Sequence, residues 1–335
     1  MPQELTPKVS ICIPTYNRAN FLQYSVNSVL TQTYQDFEII ICDDASTDNT
    51  PEIIKQWHDP RIRYIRQPLN GGRSKNMRSG FEAAKGVYFI KFDDDDALTP
   101  EFLEKTVAVL DTEAEIDFVC TNHWIINQNN KRDELATQEN STKWGKNKLP
   151  QGLIPNLLKE TFINQSLQVG STLFRHSSLQ EVNFMRPEAD GCEDFDLLVR
   201  LALLNKQGYF IPEFLMEYRL HGGQNSLKQN LHFLKAKEFS LKSYKFPDSE
   251  LEKTRIIKLA YIQQTLALRL IENGEMRKGR QLLQESNKIL GLSSKAVIGF
   301  LWSYFPKNLQ QLAIDIFRAM RPKNYTDRVR SEVGR

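Results

Sequence analysis

Residues 87–96 read Val-Tyr-Phe-Ile-Lys-Phe-Asp-Asp-Asp-Asp, an apolar run that ends in four consecutive carboxylates. A continuous apolar run of this length suits a strand covered on both faces. Three other stretches share its character: Lys8 to Pro14, with Val9, Ile11 and Ile13 on one face, Phe37 to Cys42, and Phe118 to Thr121. Helix signals lie between them. Thr50 with Pro51 and Thr99 with Pro100 form N-cap and first-turn pairs, and Leu103, Thr106, Val107 and Leu110 repeat at helical spacing. Repeated strand–helix units predict an α/β fold with a mostly parallel sheet, whose ligands bind beyond the carboxyl ends of its strands. The acidic clusters of the chain fall at those ends.

Outward from this half the pattern changes. Asn127 to Pro150 is polar and charged and reads as a long loop or a join between half-domains. Ser171 to Phe174 reads as a strand, and Phe195, Leu198, Val199, Ala202 and Leu203 mark a helix face, with Asp196 and Arg200 spaced as a surface ion pair. From about Gln229 the chain reads as helix throughout. These shifts divide it into residues 1–226, with halves at about 6–122 and 123–226, and a helical region over 227–335.

The 335 residues carry 40% hydrophobic and 25% charged content with 16 Gly and 14 Pro, which excludes collagenous and largely disordered chains. The longest apolar run, Ala296 to Phe305, is far short of the roughly 20 residues that span a bilayer, so no transmembrane helix is expected. The first residues lack a secretory pattern and the expected compartment is the cytoplasm. Cys12, Cys42, Cys120 and Cys192 show no CxxC pairing and read as reduced, buried residues. A net charge of +3 does not point to nucleic acid, but eight Lys or Arg against three Asp or Glu from Lys295 onward give the tail a local +5.

Asp93, Asp94, Asp95 and Asp96 repel one another, which is tolerable in water or with a cation bound. Two readings follow: a solvated turn before the next helix, or a site for Mg²⁺ or Mn²⁺, ions that take one or two carboxylates and fill the rest of their shell with water and phosphate oxygens. A second cluster, Asp43, Asp44 and Asp48, follows the strand at Phe37 to Cys42 and shares its rim; Asp48 also reads as a cap for the helix at Pro51. Glu193 and Asp194 open a helix, as dipole-stabilising carboxylates or as a general base facing the rim. His221, before Gly222 and Gly223, sits where an imidazole could reach metal or phosphate.

In this order the pieces VSICIPTYNR (9–18), DDASTD (43–48), FDDDD (92–96), CEDFDLLVRL (192–201) and EYRLHGGQNS (217–226) resemble the family 2 glycosyltransferases of the GT-A fold, over roughly residues 6 to 226. The resemblance implies a metal-dependent, inverting transfer of a sugar from a nucleoside-diphosphate sugar, foremost a UDP-sugar, to a glycan or lipid-linked acceptor. It implies that Pro14, Thr15 and Tyr16 line the nucleotide pocket and that Asp44, with Asp43 beside it, meets the base. Asp93 lies toward the ribose with Asp94 on the same nucleotide-sugar side, and Asp95 is the principal metal ligand with Asp96 as the alternative. Asp194 is the catalytic base with Glu193 adjacent, His221 lies near metal and diphosphate, and Arg73 meets the phosphates. Many relatives carry Ala-Arg-Asn near positions 76 to 78, whereas this chain reads Asn76, Met77, Arg78.

Two rival functions remain. A nucleotidyltransferase also handles nucleotide diphosphates with metal and carboxylates, but the stretch Pro14 to Arg18 lacks its Gly-rich activating loop. A catalytically dead nucleotide-sugar scaffold is opposed by the presence of Asp95 and Asp194. In the tail, Leu309, Leu312, Ala313, Ile316, Phe317 and Met320 form an apolar stripe near Arg318, Arg321 and Lys323, downstream of Trp302, Tyr304 and Phe305. It reads either as a helix docked on the catalytic domain or as a peripheral membrane contact.

Overall fold

The computed structural model describes residues 6–220 and 227–304. Ten strands form one mixed sheet: β1 (Val9–Thr15), β2 (Phe37–Asp43), β3 (Ile62–Arg66), β4 (Tyr88–Lys91), β5 (Ala97–Leu98), β6 (Phe118–Ile126), β7 (Arg132–Asp133), β8 (Gly152–Leu153), β9 (Thr172–Arg175) and β10 (Gly208–Arg219). The strand order is β3-β2-β1-β4-β9-β6-β10-β5, with β7 on β6 and β8 on β10. β3, β2, β1 and β4 run parallel, and β9 enters antiparallel between β4 and β6.

Every residue of β1 and β2 is buried, because helices cover both faces. Alternation sorts their side chains. Val9, Ile11, Ile13, Ile39 and Ile41 pack with Leu22, Val26 and Val29 of α1 (Ala19–Leu30), whereas Cys12, Ile40 and Cys42 join Met77 and Phe81 on the opposite face. That second face carries the helix Arg73–Ala83, within which a Cβ on Gly80 would meet Cys12 Sγ at 2.2 Å. A side chain there would force the helix off the sheet.

Numbered onward, the remaining helices of this unit are α2 (Thr50–Ile54), α3 (Arg73–Ala83), α4 (Phe102–Thr112), α5 (Glu134–Lys143), α6 (His176–Glu181) and α7 (Glu193–Leu203). Helix α4 starts just past the Thr99–Pro100 signal. Helix α5 replaces part of the expected loop at Asn127 to Pro150. It buries only small residues, Ala136, Thr137 and Ser141, so it has no apolar stripe to announce it, and Asp133 caps it by accepting from the Ala136 amide. The Asp196–Arg200 pair is not at the surface as its spacing suggested: Asp196 is fully buried, and its carboxylate accepts from Arg200 Nε at 2.7 Å and Arg186 Nε at 2.9 Å.

The chain divides into two compact units. One holds the sheet, running to Pro187 and from Glu193 to the end of β10; the other takes Glu188–Cys192 and the helices that follow. The latter are α8 (Leu227–Ser243), α9 (Ser249–Glu272), α10 (Met276–Leu290) and α11 (Ser294–Trp302), with Ala267, Ile271, Leu283 and Ala296 in one small core and Leu234, Leu266 and Leu270 in another. Among the described residues no helix is long and apolar enough to cross a membrane. Trp302 is buried and Tyr304 exposed; the stripe Leu309 to Met320 and Phe305 lie outside the described residues.

Candidate active site

The parallel strands bring their carboxyl ends to one rim, as the sequence predicts. Thr15 pairs with Asp43 in the β1–β2 register, and Cys12 pairs with Lys91 of β4, two residues before the acidic run. Pro14 and Thr15 are buried at the end of β1, and Tyr16 is exposed just beyond it. The two carboxylates ending β2 are engaged locally. Asp43 accepts from the Ser46 amide (2.8 Å) and the Tyr64 hydroxyl (2.7 Å). Asp44 accepts from the amides of Gly71 (2.8 Å) and Gly72 (2.9 Å), drawing the turn before α3 onto the rim; Gly72 has φ +88°, a conformation glycine adopts without strain. Two further lone-pair positions remain on that carboxylate. Asp48 accepts from the Thr50 amide at 3.0 Å and from the Ala19 amide at 3.3 Å, but the N-cap position of α2 is Asn49, so neither Asp48 nor Thr50 is the cap residue.

Beyond β4 each carboxylate is engaged, two of them by the same arginine. Lys91 Nζ lies 2.8 Å from Asp93. Arg18 Nη1 donates to Asp94 at 3.1 Å and to Asp95 at 2.6 Å. Asp96 is fully buried and accepts the Arg219 backbone amide at 2.9 Å, while the Arg219 guanidinium donates to the Asp95 carbonyl at 2.6 Å. Burial pushes the Asp94 carboxyl up to about 7 against the pull of Arg18, with Asp95 adding to the rise. Burial likewise raises Asp96 well above the usual carboxylate range, and Asp95 adds to it.

The first turn of α7 brings in the remaining candidates. Glu193 is buried with its carboxylate 3.4 Å from Arg73, the first residue of α3. Burial raises its carboxyl, and the neighbouring Asp194 adds to the effect. Asp194 is different: its side chain is 42% exposed, and its Oδ1 is buried 3.5 Å from Lys91 Nζ, leaving Oδ2 as the open oxygen. Lys91 therefore spans Asp93 and Asp194. Burial alone would lower its ammonium, but Asp194 and Asp93 outweigh that and raise it. In front of Asp194 lies a pocket of about 170 Å³, walled by Trp144, Gln165, Gln168, Val169, Phe195 and Leu198.

The structure thus gathers Pro14, Thr15, Tyr16, Asp43, Asp44, Arg73, Asp93 to Asp96, Glu193 and Asp194 within one unit; His221 lies outside the described residues. Sequence reasoning missed Lys91 and Arg18. Each carried a signal, Lys91 as a lone cation inside an apolar strand and Arg18 as the end of the VSICIPTYNR stretch.

A divalent cation was implied by the resemblance, and the donor chemistry fits one. Asp93 and Asp95 offer hard oxygens, and the buried Asp96 Oδ2 has no hydrogen-bond partner within the described residues. Among those residues no three acidic, His or Cys side chains converge into a cage. An ion here would take one or two carboxylates and complete its shell from a diphosphate and water, the usual arrangement for Mg²⁺.

Comparison with known proteins bears on the family and the fold. Residues 10–181, just over half the chain, match the family described as Glycosyl transferase family 2. The chain is 28% identical over 235 residues to chondroitin synthase of Pasteurella multocida (strain Pm70), covering 70% of this chain and 22% of that one. It is 32% identical over 228 residues to an uncharacterised glycosyltransferase of Nostoc sp., covering 66% of this chain and 67% of the other. The chain therefore spans about a fifth of the Pasteurella synthase and two thirds of the Nostoc protein. Among solved structures, S. aureus TarS 1-349 in complex with UDP-GlcNAc aligns with a TM-score of 0.61 at 15% identity, over 92% of both chains. The mannosyltransferase PcManGT from Pyrobaculum calidifontis in complex with GDP-Man and Mn²⁺ aligns at 0.57 and 13% identity, over 98% of this chain and 85% of that one. These neighbours share the GT-A fold.

Proposed function

This chain belongs to glycosyl transferase family 2, and from that premise we propose that its site moves a sugar from a nucleoside-diphosphate sugar to an acceptor hydroxyl with inversion at the anomeric carbon. The observation that carries the reading is Asp194: a carboxylate with one oxygen held 3.5 Å from Lys91 and the other open beside a pocket, linked through the same lysine to the acidic rim. In this reading Asp194 Oδ2 takes the proton of the acceptor hydroxyl as that oxygen attacks, and Lys91 keeps the carboxylate facing the pocket. The nucleoside diphosphate leaves from the opposite face, so no covalent intermediate is required. Pro14, Thr15, Tyr16 and Asp44 would line the nucleoside, Asp93 and Asp94 its ribose side, and Arg73 the diphosphate. Asp95, with Asp96 as the alternative, would hold Mn²⁺ or Mg²⁺, which when bound offsets the charge of the diphosphate. A UDP-sugar donor and a glycan or lipid-linked acceptor are the substrates proposed, in keeping with the UDP-GlcNAc named for the TarS complex.

The test is release of nucleoside diphosphate from a panel of nucleotide sugars with Mn²⁺ present. Asp194→Asn is expected to cut turnover roughly 10²- to 10⁴-fold with donor affinity little changed, whereas Glu193→Gln, a near-isosteric change in a side chain that sits against Arg73 and does not line the pocket, stays near wild type. The reverse result would remove Asp194 from the role of base.

A further inference from the structure

The pocket in front of Asp194 is built unlike the rim beside it. Its volume of about 170 Å³ lies below the roughly 300–1,000 Å³ of sites for drug-sized ligands, and close to the ~150 Å³ cavity that holds a single six-membered ring. Its lining combines Trp144 and the apolar residues Phe195, Leu198 and Val169 with two amide side chains, Gln165 and Gln168. Among the described residues neither amide has an intramolecular hydrogen bond, so each keeps two N–H donors and a carbonyl acceptor to spend. Asp194 is the one charged residue in the lining; Lys143 stacks over the Trp144 indole at 5.1 Å but does not line the pocket.

The backbone that carries these two residues is fixed. Gln165 sits at φ +52°, a left-handed conformation uncommon for a residue other than Gly, Asn or Asp. It follows a π-helical turn, Lys159–Asn164, a local irregularity that recurs at functional sites. Glu160 clamps the turn on both sides of Gln165, accepting from Asn164 Nδ2 at 3.0 Å and from Ser166 Oγ at 2.7 Å. The Gln168 carbonyl accepts from the Thr172 hydroxyl at 2.6 Å, which fixes that residue while its side chain stays available. A strained residue persists where the surrounding structure over-determines it.

We propose that this pocket is the subsite for the sugar ring bearing the acceptor hydroxyl, and that the ring it selects is uncharged. The proposal rests on the reading of Asp194 as the base. An apolar lining suits the C–H face of a pyranose, and the amides suit its rim of hydroxyls, where polar groups left unpaired by the wrong ligand would be costly. A uronic acid or phosphorylated sugar would bring a carboxylate or phosphate into a lining with no Lys or Arg, where the Asp194 carboxylate repels it and part of its hydration is lost without a compensating cation.

Saturation-transfer NMR on the full-length protein tests this, with methyl β-D-glucopyranoside and its 2-acetamido-2-deoxy analogue as neutral probes, and methyl β-D-glucuronide and glucose 6-phosphate as anionic ones. The neutral glycosides should bind about tenfold or more tightly than the anionic pair. Trp144→Leu and the double variant Gln165→Ala/Gln168→Ala should each weaken them about tenfold, with Trp144→Phe closer to wild type. Trp124→Phe, outside the pocket, should leave binding as it was, and matching unfolding midpoints show that the variants are folded. Equal or tighter binding of the anionic probes, binding insensitive to Trp144 and both glutamines, or no glycoside binding would each overturn the proposal. The base reading fails separately: if Asp194→Asn keeps full turnover while Trp144-dependent glycoside binding persists, the subsite stands and Asp194 is not the base.

Discussion

At the end of β4 carboxylates are packed against cations: Asp93 on Lys91, Asp94 and Asp95 on one nitrogen of Arg18, and Asp96 against the backbone of Arg219. A few residues of α7 away, the pocket before Asp194 holds one carboxylate among an indole, apolar side chains and amides. The contrast separates two tasks. The rim stores negative charge that a bound cation and a diphosphate would reorganise, and Arg18 keeps that charge tolerable in the meantime. The pocket keeps charge scarce, as the proposed action of Asp194 on a neutral acceptor requires. Lys91 is the hinge between them, touching a carboxylate on each side.

The largest expected effect comes from breaking the rim. Asp95→Ala removes both an Arg18 partner and the carboxylate assigned to metal, so transfer and metal-dependent nucleotide binding should fall to background, a loss of about 10³-fold or more. The unfolding midpoint should move little, because Arg18 keeps Asp94. Nucleotide-sugar turnover measured with and without Mn²⁺ checks it, and wild-type turnover in excess chelator would remove metal from the account of the rim.

Lys91 tests whether the two regions are coupled. Lys91→Met leaves Asp93 and Asp194 without their shared cation, and turnover is expected to fall about 30- to 100-fold. Removing one partner of a fully buried pair costs about 3–5 kcal/mol. Asp93 and Asp194 are partly exposed, so solvent screening reduces the loss to about 1–3 kcal/mol, read from denaturant midpoints. Unchanged turnover would mean that Asp194 is oriented without the rim.

The same contrast explains what the sequence disclosed. The rim was legible because buried parallel strands are continuous apolar runs and their ends are marked by local Asp clusters, so β1, β2 and β4 and the site carboxylates could be placed by reading along the chain. The pocket was not, because Trp144, Gln165, Gln168 and Asp194 come from segments up to fifty residues apart and none is distinctive alone. Helix α5, which ends just before Trp144, was hidden by its own polarity. Asp196 looked like one half of a surface pair because spacing of four is the same whether a helix face is wet or dry; burial is a tertiary fact. Lys91 was visible but was absorbed into the apolar run around it.

The smallest predicted effect concerns a buried cation close in sequence to the pocket residue Trp144. Lys146, two residues beyond Trp144, is buried, and among the described residues no carboxylate pairs with it. Its Nζ instead donates to His123 Nδ1 at 2.7 Å, which leaves the His123 Nε2 proton for Asn140 Oδ1 at 3.2 Å. That arrangement needs a neutral imidazole, and burial, then Lys146, lower His123 well below its usual range. Burial also brings Lys146 down to about 8 from an ordinary 10.5. Because the folded value lies below the unfolded one, the unfolded chain holds more protons between pH 8 and 10.5, and the contribution of this group to stability rises with pH across that window. The difference corresponds to a ceiling of about 3 kcal/mol. Lys146→Met removes the buried charge but also one hydrogen bond worth about 1–1.5 kcal/mol, so below pH 8 the variant should be more stable than wild type by about 2 kcal/mol or less. Urea midpoints for both proteins from pH 7 to 10.5 give the answer: the gap should close, and then reverse slightly, as pH rises. A gap that stays constant would show that Lys146 is charged to high pH and that its surroundings are better solvated than its burial implies.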